Sequence, residues 1–427
     1  MSQTRSGWLL LMATLGSNAF SQPRSLAPQT FTWEQIRDRF QASNPTLRAA
    51  QIGIDESRAQ EITAYLRPNP DFSLLTDGTQ IAPQNGVWQP FAGTLFQTTF
   101  SYLHERRHKR ELRRESAQKE TEITVAQYAD QERTLLFNLR TAFVQTLQQK
   151  AILDLTRENL AYYNRLLAVS NDRLKAGDIA KVDYQRLELQ RVQYETDVQT
   201  ALVNLRTAKI QLLTLLNDRT PVEQFDVAGA FDFSTELRPR EELRRLAMDG
   251  RPDLKAAIEA VDKAQTDYRL AVANGSTDPT FSGWWTHNPS FANPNAYETI
   301  GASVTIPLRI FDKNQGEKLR TQEDITRNER LRDATTAQVF SDVDSAYATI
   351  ESNLTLLRPY KETYLKEAVE VRDTVSFAYT RGGASLLDFL QAQQDYRSTE
   401  LNYLNLVGTY LTAAAQLNMA VGQEVIP

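Results

Sequence analysis

The chain repeats itself, and this internal duplication limits its fold more than any other feature. Residues 44–50 recur as residues 251–257 with an offset of 207 positions. Six identities between residues 177–212 and 382–417 keep an offset of 205. A loop insertion accounts for the difference of two positions. The sequence therefore predicts two copies of one structural unit in a single chain.

Each copy predicts the same order of elements, and most of them are helical. Only 17 glycines and 16 prolines interrupt 427 residues, which favours long helices. A helix is followed by two strands, a very long helix, a glycine-containing turn and a returning helix. The predicted helices are 33–66, 111–175 and 181–216 in the first copy and 241–273, 316–380 and 386–420 in the second. The predicted strands are 71–76 and 94–103 in the first copy and 280–286 and 298–308 in the second. The predicted divisions are a first repeat 31–217 with β-hairpin 71–103, a linker or equatorial segment 218–240, and a second repeat 241–422 with β-hairpin 280–308.

Strands and helices differ in their hydrophobic period. Apolar side chains alternate with Ser, Thr, Gln or Gly in residues 96–102 and 300–306, which is typical of strands with one apolar face. Such a hairpin fits either a membrane barrel or a small soluble sheet. The returning helices carry apolar residues at spacings of three and four, which predicts coiled-coil pairing. A helix of roughly 65 residues reaches about 100 Å and suits a hollow cylinder better than a globular core.

Composition and the N-terminus narrow the functional class. The net charge of −5 argues against a nucleic-acid partner. The chain has no cysteine, so it is predicted not to be lipidated and to form no disulfide or thiolate metal site. Residues 1–21 are predicted to be a signal peptide and residues 22–30 an extended leader, the alternative being a frayed N-terminus. No later segment is apolar enough for a membrane helix, so membrane insertion would require a closed barrel of strands.

Three sequence motifs carry a family resemblance. They are the P-x-L-(R/K)-A-A starts of both copies, Pro68-Asn69-Pro70, and residues 306–316 (IPLRIFDKNQG). Together with the duplication they make residues 30–425 resemble the TolC-like outer-membrane efflux channels. Residues 306–316 are similar to the signature of the heavy-metal (cobalt–zinc–cadmium) branch, with one extra residue before Phe311.

The resemblance implies an architecture and partners. Three chains would each give four strands to one transmembrane β-barrel in the outer membrane, and long helical hairpins would form an α-barrel tunnel across the periplasm. The implied partners are two further copies (a homotrimer), outer-membrane lipid, a periplasmic adaptor and an inner-membrane pump. The channel would conduct passively, without a cofactor, and would not be an enzyme. Divalent heavy-metal cations are the first predicted cargo. The alternatives are a drug or organic-solvent channel, or a non-conducting exported coiled-coil scaffold.

The resemblance also implies functional residues at the hairpin turns. Ala384 stands at the family's gate arginine position and Gln391 at its second aperture aspartate, so Arg173, Lys175 or Arg381 could supply the charge. Helix capping is the alternative role of the two aspartates, and a solvated turn the alternative for the docking surface. The predicted periplasmic gate residues are Asp183, Tyr379, Asp388 and Gln391. The predicted adaptor-docking residues are Leu174, Ala176, Gly177, Gly382, Gly383 and Ala384.

One motif suggests an enzyme instead. Residues 104–108 read His-Glu-x-x-His, which in a helix can bind zinc. A zinc protease of this kind also needs a third ligand, and His287 is the only other histidine. The motif is predicted to lie at a strand-to-helix junction. We therefore expect a basic, polar collar there, with no catalytic or metal-binding residue.

Overall fold

The computed structural model describes residues 29–289 and 296–426. The predicted signal peptide and most of the predicted leader lie outside these ranges. The mostly helical fold predicted from the sequence is confirmed. The first copy contains β1 (Gln29–Phe31), α1 (Trp33–Ser43), α2 (Pro45–Ala64), β2 (Asp71–Asp77), β3 (Leu95–Leu103), α3 (Lys109–Ala176) and α4 (Lys181–Leu215). The rest comprises β4 (Phe225–Val227), α5 (Arg240–Gly250), α6 (Pro252–Asn274), β5 (Thr280–His287), β6 (Glu298–Thr305), α7 (Gln315–Pro359), α8 (Leu365–Thr380) and α9 (Leu386–Val421).

The helix that opens each copy is divided in two, so the prediction of single helices over 33–66 and 241–273 was wrong. The breaks fall at Asn44 and Arg251, whose ψ angles are 120° and 122°. Each residue precedes a proline, and the proline ring disfavours helical backbone at the preceding position. Both prolines then occupy the first turn of the next helix, where their missing N–H costs nothing.

The second long helix is also interrupted, so the prediction of one helix over 316–380 was wrong. Helix α7 ends at Pro359, and a π-helical turn over Tyr360–Tyr364 leads into α8. Proline has no N–H to donate to the preceding turn, and the wider π turn accommodates this gap. Helix α3 contains no proline and runs unbroken for 68 residues.

The two β-hairpins form one antiparallel sheet in the order β2-β3-β5-β6. Strands β3 and β5 join the two copies, and the edge strands β2 and β6 have no outer partner among the described residues. The predicted alternation is confirmed by the register. Ser101, Ser282 and Ser303 are paired neighbours on one face, whereas the adjacent Tyr102, Phe281 and Val304 lie on the other. Strand β6 ends at Thr305, three residues before its predicted end.

Helix α3 packs against helices of both copies, namely α2, α4, α6 and α9. Among the described residues, no helix has a stretch that is both long enough and apolar enough to span a bilayer. The predicted seams of the returning helices are largely buried, as expected for coiled-coil pairing. Buried seam residues are Leu187, Tyr194, Val198, Ala201, Ala208 and Leu212 in α4, and Tyr410, Ala413, Leu417 and Ala420 in α9.

The segment between the copies is attached to the first copy by an ion cluster. Strand β4 pairs in parallel with β1, and its central Asp226 meets the ammonium groups of Lys150 (2.6 Å) and Lys209 (3.0 Å). The lysines also donate to the carbonyls of Val227 and Phe225. Burial alone would raise the pKa of Asp226, but the hydrogen bonds from both lysines outweigh it and hold the pKa below its usual range.

We expect Asp226→Asn to destabilise the protein by roughly 2 kcal/mol at pH 7, because two partly buried ammonium groups lose their counter-charge. The stabilisation from a carboxyl with a lowered pKa is present above its unfolded pKa of about 3.9 and is lost as the pH falls through the folded value. The difference from the unsubstituted protein should therefore shrink below about pH 4. Thermal unfolding followed by circular dichroism at one heating rate measures this.

The matched control is Glu223→Gln in the same segment. Glu223 pairs with Arg206 at 2.5 Å, but both side chains are 65% exposed. An exposed pair contributes little, so this variant should unfold within about a degree of the unsubstituted protein. Equal losses in both variants would contradict a specific role for Asp226.

Candidate functional site

The two hairpin turns have the same backbone construction. Gly177 and Gly382 have φ angles of 83° and 77°, the left-handed region that favours glycine. In each turn the glycine N–H and the next N–H donate to carbonyls of the helix that ends there, which satisfies groups left free at the helix terminus. Of the predicted docking residues, Ala176, Gly177, Gly382 and Gly383 are exposed, and Leu174 and Ala384 are half-buried.

Near these turns the two hairpins pack against each other through apolar side chains, which we name the tip cluster. Tyr163 stacks on Tyr194 with ring centroids 4.5 Å apart, and Tyr379 stacks on Phe389 at 4.9 Å. Each of these stacked pairs lies within one hairpin, and the cluster as a whole combines residues of α3 and α4 with residues of α8 and α9. The buried members of the tip cluster are Tyr163, Leu166, Leu167, Leu187, Tyr194, Tyr379 and Phe389.

Tyr379, a predicted gate residue, belongs to this cluster and is only 5% exposed. The guanidinium of Arg173 donates to the Tyr379 carbonyl at 2.9 Å and lies 5.4 Å from the centre of its ring. Burial raises the pKa of Tyr379, and the nearby Asp183 carboxylate adds to the rise. The Tyr379 hydroxyl is buried and makes no direct hydrogen bond within the described residues. Arg173 and Tyr379 thus connect the end of α3 to the end of α8.

The two predicted gate aspartates differ in their contacts although they occupy equivalent positions. Asp388 accepts from the Ser385 hydroxyl at 2.7 Å, and its own N–H donates to Ser385 Oγ at 3.1 Å, which forms a capping box. Asp183 instead lies 3.9 Å from the guanidinium of Arg186. Gln391 donates to Asp395 at 2.7 Å on the same helix. The capping alternative therefore describes Asp388 well, whereas no side-chain cap bond forms at Ala180, the N-cap of the helix that carries Asp183.

A second layer of contacts between the hairpins has no counterpart among the predicted site residues. Arg372 lies 4.1 Å from the ring centre of Tyr396 and 4.9 Å from that of Tyr162. Arg397 lies 5.1 Å from the ring centre of Tyr194 and pairs with Asp197 at 3.1 Å. Arg372 and Tyr396 lie in the consecutive helices α8 and α9, whereas Tyr162, Tyr194 and Asp197 lie in the other copy from their arginine partners. No local spacing pointed to these contacts between the copies.

The His-Glu-x-x-His motif lies outside a helix, as predicted. His104 follows β3, and its N–H donates to the Pro279 carbonyl at 2.9 Å. His108 has a left-handed φ of 54° and immediately precedes α3. Glu105 forms an ion pair with Arg113. The described residues contain no group of three or more His, Asp or Glu side chains arranged to hold a metal ion.

Several known proteins are similar to this chain in sequence or in architecture. A family model described as "Outer membrane efflux protein" matches residues 36–218 and 243–423. The cobalt-zinc-cadmium resistance protein CzcC of Cupriavidus metallidurans is 24% identical over 383 residues, covering 89% of this chain and 87% of CzcC. The outer membrane protein TolC of Escherichia coli is 21% identical over 434 residues, covering 97% of this chain and 85% of TolC. The solved structure of CusC superimposes with a TM-score of 0.74 at 16% identity and covers 92% of each chain.

We expect Tyr379→Ala to loosen the tip cluster by about 3–5 kcal/mol, because it removes a buried ring that packs against Phe389. Hydrogen exchange should accelerate near the turns in both hairpins. Tyr379→Phe is the matched control. It should be neutral or slightly stabilising, since it removes only a hydroxyl without a direct partner. Equal acceleration of hydrogen exchange in Tyr379→Ala and Tyr379→Phe would indicate that the Tyr379 hydroxyl forms a hydrogen bond in the functional assembly.

Proposed function

The chain belongs to the TolC-like outer membrane efflux protein family, and on this premise we propose that it is the outer-membrane channel of a tripartite efflux system. One observation carries the proposal: a sheet with one apolar and one polar face continues into helical hairpins, of which α3 alone has 68 residues. The apolar face would meet lipid and the polar face a water-filled lumen. A coiled-coil scaffold that conducts nothing would have no use for such a sheet.

We propose that the functional unit is a homotrimer. The sheet of one chain ends in the unpaired strands β2 and β6, and open edges require a partner. Helix α4 also carries apolar side chains at intervals of seven or fourteen residues on its exposed side. They are Val182 (53% exposed), Leu189 (73%), Val203 (62%) and Ile210 (47%). Heptad spacing of this kind fits a helix of a second copy. Three copies would close one barrel and one tunnel.

The hairpin turns are the proposed docking and gating end. They lie at the end of the long helices remote from the sheet, which corresponds to the periplasm if the sheet sits in the outer membrane. A periplasmic adaptor, linked to an inner-membrane pump, would contact the six predicted docking residues. The exposed Leu387 (74%) adds apolar surface there. We propose that Asp183, Tyr379, Asp388 and Gln391 restrain the opening between neighbouring hairpins.

The proposed cargo is divalent heavy-metal cations, which a passive duct would conduct after the pump and adaptor select them. The match to CzcC and the likeness of residues 306–316 to the metal-efflux signature support this choice. Asp312 and Asn314 in this string form turn and helix contacts, so the likeness of the string need not reflect the cargo. Drugs or organic solvents are the second candidate, because a passive duct without a metal-holding group among its described residues does not itself select metal cations.

We expect the double substitution Asp183→Asn and Asp388→Asn to raise single-channel conductance in planar bilayers and to lower the preference for cations. Removing two carboxylates from each of three copies weakens the field that attracts cations at the opening. Ser385→Ala is the control, because it breaks the capping box of Asp388 without changing charge. If Ser385→Ala reproduces the effect and the double variant adds nothing, the aspartates act only in helix capping.

The cargo is tested in a deletion strain. Loss of the protein should increase sensitivity to cobalt, zinc, cadmium or copper while resistance to detergents and dyes is kept. Complementation with the unsubstituted chain should restore growth on the metals. The opposite pattern of sensitivities would assign organic cargo and leave the channel architecture standing.

A further inference from the structure

We propose that the helix-side edge of the sheet binds the phosphodiester headgroups of anionic phospholipids. This edge is the end where β2 and β5 begin and β3 and β6 end. The register places these strand ends at one level, because Asp71 pairs with Ser101 and Thr280 pairs with both Leu103 and Thr305. The inference rests on the proposed function in two respects: the sheet lies in a bilayer, and three copies assemble so that β6 of one adjoins β2 of the next.

Charge is distributed very unequally between the two ends of the sheet. Residues 104–114, which follow β3, contain six Lys or Arg and two Glu. The sequence segments that connect β2 to β3 and β5 to β6, residues 78–94 and 288–297, contain no Lys, Arg, Asp or Glu. The protein as a whole has a net charge of −5, so a basic edge runs against its composition. A basic band beside a membrane attracts anionic headgroups.

Some cations of the edge already have partners that hold the junction together. Lys109 is 4% exposed and pairs with Asp278 at 2.5 Å, and Arg113 pairs with Glu105. The guanidinium of Arg110 lies 4.3 Å from the ring centre of Tyr65. These contacts orient the strand-to-helix connections, so they are structural.

Three further cations are left for a ligand. Arg67, Arg107 and Lys313 are exposed, and none of them forms an ion pair within the described part of the chain. In the proposed trimer β6 of one copy would adjoin β2 of the next, which brings Lys313 towards Arg67 of the neighbour. Like charges at such a junction favour an anion between them. A phosphodiester accepts hydrogen bonds from guanidinium and ammonium groups alike.

Apolar side chains flank these cations and favour a lipid over a free anion. Leu66 precedes Arg67 and is 61% exposed, and Phe311 lies two residues before Lys313 and is 90% exposed. Leu308 and Ile310 are 78% and 64% exposed on the same connection. An apolar group that enters the acyl region beside a cation at headgroup level is the arrangement of an interfacial anchor.

The test measures lipid retention by the full-length trimer in native mass spectrometry. Purified protein is titrated with phosphatidylglycerol or with phosphatidylcholine. We expect preferential retention of phosphatidylglycerol at about 0.1 M salt and loss of the preference near 1 M, where charges are screened within a few ångströms. The variant Arg67→Gln, Arg107→Gln and Lys313→Gln should bind phosphatidylglycerol roughly tenfold more weakly or worse.

Two matched variants separate this effect from general loss of charge or fold. The first variant removes three exposed cations of the helices and should leave phosphatidylglycerol retention unchanged; it combines Arg157→Gln, Lys255→Gln and Lys366→Gln. The second variant keeps the charge of the edge and combines Arg67→Lys, Arg107→Lys and Lys313→Arg. Its affinity for phosphatidylglycerol should lie within about threefold of that of the unsubstituted protein. If the glutamine variant of the edge fails to assemble, the inference is tested by three other results. These are the lipid preference of the unsubstituted protein, the salt dependence of that preference, and the lipid affinity of the charge-keeping variant.

Equal retention of both lipids by the unsubstituted protein would overturn the inference. So would unchanged phosphatidylglycerol affinity in the edge variant, or a variant that loses the trimer in lipid-free detergent while its lipid affinity stays the same. The last result would assign the edge to contacts between copies. Conductance in planar bilayers tests the proposed function separately, because a channel that inserts and conducts without lipid preference loses only this inference.

Discussion

The packing of α3 against helices of both copies is the interaction on which the rest of the structure depends. A helix of 68 residues cannot bury its apolar side chains alone, and its neighbours α2, α4, α6 and α9 come from both halves of the duplication. The sheet repeats this arrangement, since β3 and β5 join the two hairpins. The two copies therefore pack against each other along α3 and share one sheet, and the chain is a single unit built from two similar parts.

The duplication keeps a contact while changing its chemistry. Asn44 and Arg251 occupy equivalent breaks between helices, and their side chains donate to the carbonyls of Leu215 (3.4 Å) and Ala420 (3.3 Å), the equivalent ends of the returning helices. Asn44 also caps α2 by accepting from two backbone N–H groups. Arg251 instead pairs with Asp253 and Asp342. A short amide and a buried ion network thus hold the same junction.

The ends of the two helical hairpins are packed together within one chain, so movement at the proposed gate would occur between chains. The tip cluster ties the two hairpins of one chain, because it combines buried residues of α3, α4, α8 and α9 and because Arg173 of α3 donates to the Tyr379 carbonyl of α8. Motion at this end would therefore involve one chain moving against its neighbours. Asp388 is engaged in its own capping box, whereas Asp183 lies 3.9 Å from the guanidinium of Arg186. The duplication therefore supplies two aspartates with different local freedom at a site where the proposed gate needs charge.

Patterns within a few residues of sequence determined much of the fold by themselves. Alternation in the strands, the heptad seam of α4 and the glycines of the turns each depend on local backbone geometry. The breaks at Asn44, Arg251 and Pro359 also carry a local signal, because proline restricts its neighbours, although the predicted helices ran through all three positions. Residues 306–316 likewise pointed to the family from sequence.

Only the tertiary structure decided which distant side chains meet. The ion pair of Asp226 with Lys150, the contact of Arg372 with Tyr162, and the pairing of β3 with β5 join residues far apart in the chain. The same is true of the different contacts of Asp183 and Asp388, which the sequence presents as equivalents. Periodicity specifies which face of an element is apolar, but the partner of that face depends on how the elements pack in three dimensions.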